Sequence, residues 1–348
     1  MTNSLLILGL GAVTPVGLTA PQTCAAIRAG ISAFSEGIPR LPPKEPVVCA
    51  TIPARQILKR TPQDWFINLA VRALKEAAAA ISNVDLEKTA IFIALPDAIR
   101  EHEALSAQEP INFIRAVESR LNIKFHPKSF AVQEGSAASF KFLMEARELL
   151  NDGEVKYCLV GAVDSLVNIK DVEHLEKCAR LHQGAANSQG VIPGEGAAFV
   201  LLGKATDLRS IKPIANILGI GIGRESDIVT GERYSTGLGL RKALDNTIQD
   251  ADCKESEIVF RVSDMNGERY RAWESMISTT RFYRTRREHL ETWYFASSVG
   301  DMGAASGLLG VVVASTGIQK GYAAGNIAMC EAVSDEGLRG GCLVSALG

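Results

Sequence analysis

The chain contains no CxxC pair and no apolar run of the roughly 18 to 20 residues that a membrane-spanning helix requires. Its seven cysteines, at 24, 49, 158, 178, 253, 330 and 342, are odd in number and scattered, which argues against a disulfide framework and against a zinc site. That usage fits a reducing, cytoplasmic setting. Charge of one sign is also lacking: a formal net charge of -2 over 348 residues gives no bulk reason to expect nucleic acid or an acidic surface as partner. The opening MTNSLLILGLGAV has no basic leader and is broken by Gly9 and Gly11, so it reads as a buried first strand and not as a signal peptide. Aromatic residues make up 6% and histidines number five, His102, His126, His174, His182 and His289. Proton-transfer chemistry through imidazole therefore has few carriers.

What is present is a regular alternation. Short apolar segments at 5–8, 90–95, 129–132, 157–163, 197–202, 214–222, 258–262, 294–298, 327–330 and 341–346 predict strands. Helical patterns lie between them at 21–29, 62–81, 110–121, 137–151, 236–251, 268–282 and 303–319. Apolar strands alternating with helices predict an α/β chain with buried, mainly parallel sheets. The halves repeat in outline, each ending a strand in a Gly/Ala/Ser-rich turn that feeds a buried helix, at Gly135 and at Gly303. The stretch 170–193 is expected to join the halves, and the proline-rich 39–53 to be a surface loop.

The segment 131–165, AVQEGSAASFKFLMEARELLNDGEVKYCLVGAVDS, reads as strand end, small-residue turn, amphipathic helix and return strand. Ser136 stands where the helix begins. The first N–H groups of a helix have no intrahelical partner and can stabilise an anion or an activated nucleophile. Ser136 is either a helix cap or a nucleophile, and the second role needs a base.

Together with LGLGAVTPVG at 8–17, PGEGAAFVLL at 193–202 and GDMGAASG at 300–307, this segment resembles the β-ketoacyl synthases of the thiolase superfamily. The resemblance spans nearly the whole chain. It implies a thiolase fold, five-layered α-β-α-β-α, with two pseudo-duplicated halves at 1–169 and 170–348. In that family a Cys and two His are catalytic. Aligned on these blocks, Ser136 takes the Cys position, Met265 or Asn266 in VSDMNGER takes the first His position, and Asp301 takes the second. A carboxylate accepts a proton but donates no hydrogen bond to a developing oxyanion unless protonated, so decarboxylative carbon–carbon bond formation is not expected.

Other features carry bland readings. Gly9 and Gly11 lack the third glycine and the acid of a dinucleotide site and are expected in a tight turn packed in a core. Glu195 is expected to be a buried partner for backbone N–H groups. Glu101, His102 and Glu103 mimic a metal cluster, but neighbouring side chains on a helix point apart. Gly337, Leu338, Arg339, Gly340 and Gly341 stand where the family carries a glycine loop, and Arg339 and Cys342 there suggest an altered or closed pocket. Arg281, Arg284, Arg286 and Arg287 offer a contact for an acidic partner such as an acyl carrier protein, or simply a solvated helix end.

The expected function is a catalytically degenerate synthase-like protein, a pseudoenzyme acting as a binding, chaperone or scaffold subunit. The alternatives are a Ser136-dependent acyltransferase using acyl-thioesters without condensation, a chain-length-factor-like partner of an active synthase, and an adaptor for a secreted effector. No cofactor and no metal are expected; a homodimer, or a heterodimer with a synthase-like partner, is.

Overall fold

The computed structural model describes residues 5–38, 46–53, 61–100, 110–204 and 211–347. Its strands are β1 (Leu5–Val13), β2 (Phe34–Ile38), β3 (Val47–Ala50), β4 (Ala90–Ala94), β5 (Phe130–Val132), β6 (Tyr157–Ser165), β7 (Glu195–Gly203), β8 (Ala215–Arg224), β9 (Phe260–Ser263), β10 (Glu291–Tyr294), β11 (Ile327–Val333) and β12 (Leu338–Ser345). The helices are α1 (Ala20–Arg28), α2 (Pro62–Ala77), α3 (Asn83–Glu87), α4 (Pro110–Leu121), α5 (Ala138–Asp152), α6 (Ile169–Lys177), α7 (Leu238–Asp250), α8 (Arg269–Phe282), α9 (Ala296–Val299) and α10 (Ala305–Gln319).

The strand order is β10-β9-β11-β12-β8-β1-β7-β6-β4-β5. Two sets of five strands meet where Leu5–Ile7 of β1 pairs with 215–217 of β8. Within the first set β1 is antiparallel to β7, β7 to β6, and β4 lies parallel to both β6 and β5. The second set repeats this: β8 is antiparallel to β12, β12 to β11, and β9 lies parallel to both β11 and β10. Both sets carry their buried helix at the same step, α5 before β6 and α10 before β11. The duplication that sequence identity does not show is written in the pairing. By this order β7 completes the first set, the expected division at 169/170 falls between β6 and β7, and α6 (Ile169–Lys177) lies in the stretch that follows β6.

Helices α5 and α10 pack against strands of both sets, while α2 and α4 cover the outside of the first set and α7 and α8 that of the second, giving five layers. The burial pattern follows. Every residue of α10 from Ala305 to Gly317 is buried, as a helix enclosed between sheets must be. Strands β4, β6 and β7 are buried throughout, hence their unbroken apolar runs. Amphipathic α2 instead buries one side, with Trp65, Phe66, Leu69 and Leu74, against β1 and β7.

Gly9 and Gly11 are not in a turn but inside β1. A Cβ at either position would lie 1.9 Å from the carbonyl oxygen of Ala77 or Ala73, so the two glycines let α2 settle directly on the strand. The stretch expected as a surface loop holds β3, whose Val47, Cys49 and Ala50 are buried. Thr19, Thr61, Ser82 and Asn168 cap α1, α2, α3 and α6 by accepting from backbone N–H groups.

Candidate functional site

Ser136 lies in the turn between β5 and α5, buried, with Gly135 before it in a left-handed conformation at φ 69°. That conformation favours glycine. A side chain at Gly135 would also meet the Asp97 carboxylate and the Ser334 hydroxyl at 3.0 Å.

The Ser136 hydroxyl donates to Asp264 Oδ2 at 2.7 Å. Asp264 follows β9, and the same oxygen accepts from Val333 N at 2.9 Å and from Arg271 Nη1 at 3.2 Å. Burial outweighs the Arg271 charge and pushes the Asp264 carboxyl up to about 6.

The helix starts expected to hold an anion are already satisfied. Ala137 N donates to Ser334 Oγ at 2.9 Å, and Ala304 N at the start of α10 donates to Asp164 Oδ2 at 2.7 Å. Asp164 thus supplies the negative charge that a helix N-terminus favours. Ser136 is not the helix cap of the bland reading either, since no side chain caps α5 at its own N-cap, Ala137.

Asp301 and Asn266 meet: Asn266 Nδ2 donates to Asp301 Oδ2 at 2.6 Å, and Gly303 N to Asp301 Oδ1 at 2.8 Å. Asn266 also ties to Glu268 Oε2 at 3.1 Å. Of the two residues proposed for the first His position, Asn266 is therefore the one that reaches Asp301. Met265 is half-buried beside it and does not line the space around Ser136.

Around Ser136 the space is narrow, about 20 Å³, near the room one water needs. Arg100, Arg180 and Arg271 line it together with Asp97, Asp164, Asp301 and Asp335. Arg100 pairs with Asp164 and lies 3.7 Å from Asp171. Arg180 holds Glu268 at 2.6 Å and Asp335 at 2.8 Å, while Arg271 contacts Asp335 at 3.2 Å. Every one of these groups is at least largely buried. The two guanidinium groups beside Asp335 hold its carboxyl far below the usual range. Asp97 has the opposite fate. Burial, and then the neighbouring Asp335 charge, raise it to about 6.

No histidine lines this space among the described residues. His102, with Glu101 and Glu103, lies outside them. His174 sits on α6, where burial and the Arg180 charge lower its pKa. No group of His, Cys, Asp and Glu among the described residues is arranged to hold a metal ion.

Glu195 has the structural role expected of it: its carboxylate accepts from Ile52 N at 2.9 Å, from Trp65 Nε1 at 2.7 Å and from Ser165 Oγ at 3.0 Å. Arg339 is fully buried and turns away from the Ser136 space to Glu274 of α8 at 2.8 Å. The arginine run divides. Arg287 is spent on Glu255 and the carbonyl of Ile258, Arg281 donates to the carbonyl of Thr236, and Arg284 and Arg286 are exposed beyond the end of α8.

Residues 63–207 match the family model described as β-ketoacyl synthase, N-terminal domain. Among solved structures, the ishigamide ketosynthase/chain length factor superposes over 100% of both chains with a TM-score of 0.83 at 17% identity. The ketosynthase AntDE in complex with the acyl-carrier protein AntF, bound to the hexaketide, does so over 100% of both chains at 0.82 and 15%. The chain has the fold of these ketosynthases, and over residues 63–207 it is similar to the N-terminal domain of the β-ketoacyl synthases. A ketosynthase from module 6 of the bacillaene synthase of Bacillus subtilis shares the fold with a TM-score of 0.80 at 12% identity, over 99% of this chain and 72% of that one. No curated protein sequence matches the chain. In this synthase-like framework, the place that the resemblance assigns to the reacting Cys holds a Ser bonded to a carboxylate. The space in front of it holds an Arg–Asp network. Sequence reading missed Asp97, Arg100, Asp164, Arg180, Asp264, Arg271 and Asp335. Only Glu268 and Arg271, three apart at the start of α8, leave a local spacing signal.

Proposed function

We propose that the chain is a non-condensing, chain-length-factor-like subunit that pairs with an active ketosynthase and shapes the space in which the partner's product grows. The observation that carries this reading is the narrow, ion-paired space around Ser136. A subunit that keeps the whole fold while filling its own site with Arg100, Arg180 and Arg271 retains surfaces rather than chemistry. The whole-length likeness to a ketosynthase/chain length factor supports it. Strand β5 ends the sheet among the described residues, and an edge strand offers backbone groups on which a partner strand can add.

The test is co-expression with a condensing ketosynthase from the same cell, followed by native mass spectrometry. A one-to-one complex, with product length altered by changes in this chain, is the expected result; a chain that stays monomeric or pairs only with itself overturns it. An acyl carrier protein is then the natural visitor to the assembled pair.

One observation favours a second reading, a Ser136 acyltransferase: the 2.7 Å bond from Ser136 to a carboxylate raised to about 6. Against it stand the small volume and the commitment of Asp264 to Arg271 and Val333. Intact-mass measurement after incubation with acyl-coenzyme A thioesters, beside Ser136→Ala, separates the two readings.

A further inference from the structure

Helix α1 presents a stripe of short side chains. Pro21, Cys24, Ala25, Arg28 and Ala29 fall at i, i+3, i+4, i+7 and i+8 on one face, and all but Arg28 are small. Across from them Thr316, Gln319 and Lys320 stand at the same spacing along the C-terminal end of α10. Cys24 is the point of closest approach, buried with its thiol 4.0 Å from the Val312 carbonyl oxygen. The rest of the α1 stripe is too short to reach across. A groove of about 710 Å³ remains between the helices, floored by Leu10 of β1 and Ile214 ahead of β8 and walled by the Tyr322 ring. That falls in the range of roughly 300 to 1,000 Å³ of pockets that bind small molecules, and like them it is lined mainly by apolar side chains. It is separate from the Ser136 space. Ala304 N, at the start of α10, meets Asp164 there, and Thr316 lies about 18 Å further along the helix at about 1.5 Å per residue.

Three charged groups line the groove, Arg28, Lys320 and Glu76. Glu76 is half-buried and committed to backbone: its Oε1 accepts from Ala20 N at 2.9 Å and its Oε2 from Ala12 N at 3.0 Å, which ties the start of α1 to β1. Arg28 and Lys320 are exposed at the rim. The Arg28 guanidinium lies over the Tyr322 ring, 4.4 Å from its centroid, and this brings it to the end of α10 where Lys320 stands. Among the described residues neither cation forms an ion pair with a carboxylate, Glu76 included. A guanidinium stacked on a ring keeps its N–H edge free for a carboxylate. With the acid inside and the two cations at the rim, the groove favours an anionic head at its mouth and opposes a second one deeper in.

We infer that this groove binds a small monocarboxylate with a compact apolar body, the body on Leu10, Ala25 and Ile214 and the carboxylate on Arg28 and Lys320. The inference uses neither Ser136 nor β5, so it stands or falls separately from the pairing proposed above.

The probe is 2-naphthoate, titrated calorimetrically at pH 7.5 into the purified chain, or into its complex if it copurifies as one. Neutral 2-naphthol and cationic 2-naphthylmethylammonium carry the same body with a different head. The expected result is one naphthoate bound per chain with a Kd below about 1 mM, at least about tenfold tighter than either analogue. Arg28→Gln and Lys320→Gln should each weaken it about five- to tenfold. Ala25→Trp, which fills the groove from the exposed side of α1, should abolish it, and Arg286→Gln, beyond the end of α8, should leave it unchanged. Melting curves show that each variant is folded, and Arg28→Gln, on the surface, carries the test if Ala25→Trp is not. No binding of naphthoate at about 10 mM, equal binding of the ammonium analogue, or binding that Arg28→Gln leaves unchanged would each overturn the inference.

Discussion

Ser136 and Asp264, 128 residues apart, are joined by a 2.7 Å hydrogen bond in which the hydroxyl donates and the carboxylate accepts. A nucleophilic serine needs its proton taken by a base that can then hand it on, and the base needs freedom to do so. Asp264 has little: its Oδ2 also accepts from Val333 N and Arg271 Nη1. Restoring sulfur alone should therefore not restore reactivity. In Ser136→Cys the thiol would face a carboxylate and no imidazole, which raises a thiol pKa rather than lowering it. Alkylation by iodoacetamide at pH 7.5 is expected to be at least about tenfold slower than for a free cysteine of ordinary pKa. Labelling at or above the free rate would show a thiolate-stabilising site that this geometry lacks.

Asp97 and Asp264 set a pH dependence of stability with a definite sign. Both carboxyls are raised to about 6 in the folded chain, so the folded state binds protons more tightly than the unfolded one. Their contribution is fully present below the unfolded carboxylate value of about 4 and is lost as pH rises through about 6. Asp335, held low, acts in the opposite direction: its contribution is present above about 4 and is lost in more acidic solution. Denaturant unfolding is therefore expected to show a loss of about 1 to 3 kcal/mol between pH 5 and pH 7.5. Asp97 has no carboxylate-free neighbourhood to relax into, since Asp335 raises it and, among the described residues, its carboxylate accepts only from Glu336 N, at 3.1 Å. Asp97→Asn should thus stabilise the protein at pH 7.5 and flatten the profile. A profile unchanged by this substitution would count against the assignment.

Arg180 is the keystone of the network because it faces two carboxylates at once, Glu268 at 2.6 Å and Asp335 at 2.8 Å, while 6% exposed. Arg180→Met keeps the volume of the stem and leaves the two acids to share the Arg271 charge, at 3.2 Å from Asp335 and 3.6 Å from Glu268. Breaking a buried ion pair by removing one partner costs about 3 to 5 kcal/mol. Urea denaturation at pH 7 should reveal a loss of that order, partly recovered at pH 5 as the under-compensated acids take up protons. Arg286→Met, beyond the end of α8 and exposed, should move stability by no more than about 0.5 kcal/mol. If the two substitutions cost the same, the network is not what closes the site.

The fold was legible because its signals are local. Strands such as 90–95 and 157–163 are buried on both faces and read as unbroken apolar runs, and α2, α4, α7, α8 and α10 appear close to their expected spans. The failures are local too. Tyr294 and Phe295 read as the start of a strand at 294–298, yet β10 ends at Tyr294 and the chain turns at Phe295 into α9. That turn delivers Asp301 to its bridge with Pro193. Helix α6 went unread because only Asp171, Val172 and Leu175 of its nine residues are buried. The site was legible only at Ser136, Asn266 and Asp301, which stand in family blocks. A buried arginine looks in sequence like a surface one, and Arg100, Arg180 and Arg271 meet only because β4, β6, β9 and α8 converge after folding.

The closeness of α2 to β1 offers a test of the framework independent of the site. At Gly11 an added Cβ would sit 1.9 Å from Ala73 O and 2.9 Å from Ala77 N, both backbone atoms that no rotamer change can move aside. Gly11→Ala must therefore lift α2 from the strand. That separates Phe66, Leu69 and Leu74 from the β1 and β7 side chains they cover. Overpacking of this kind typically costs about 1 to 3 kcal/mol, and more where backbone has to shift. Gly153→Ala is the matched control: its position is left-handed at φ 74° but has nothing within 4 Å of the added methyl, so it carries the conformational penalty without the clash. Thermal melts of the two variants should place Gly11→Ala well below Gly153→Ala. The reverse order would mean that α2 is free to slide, and that the close strand–helix contact does not hold the first half together.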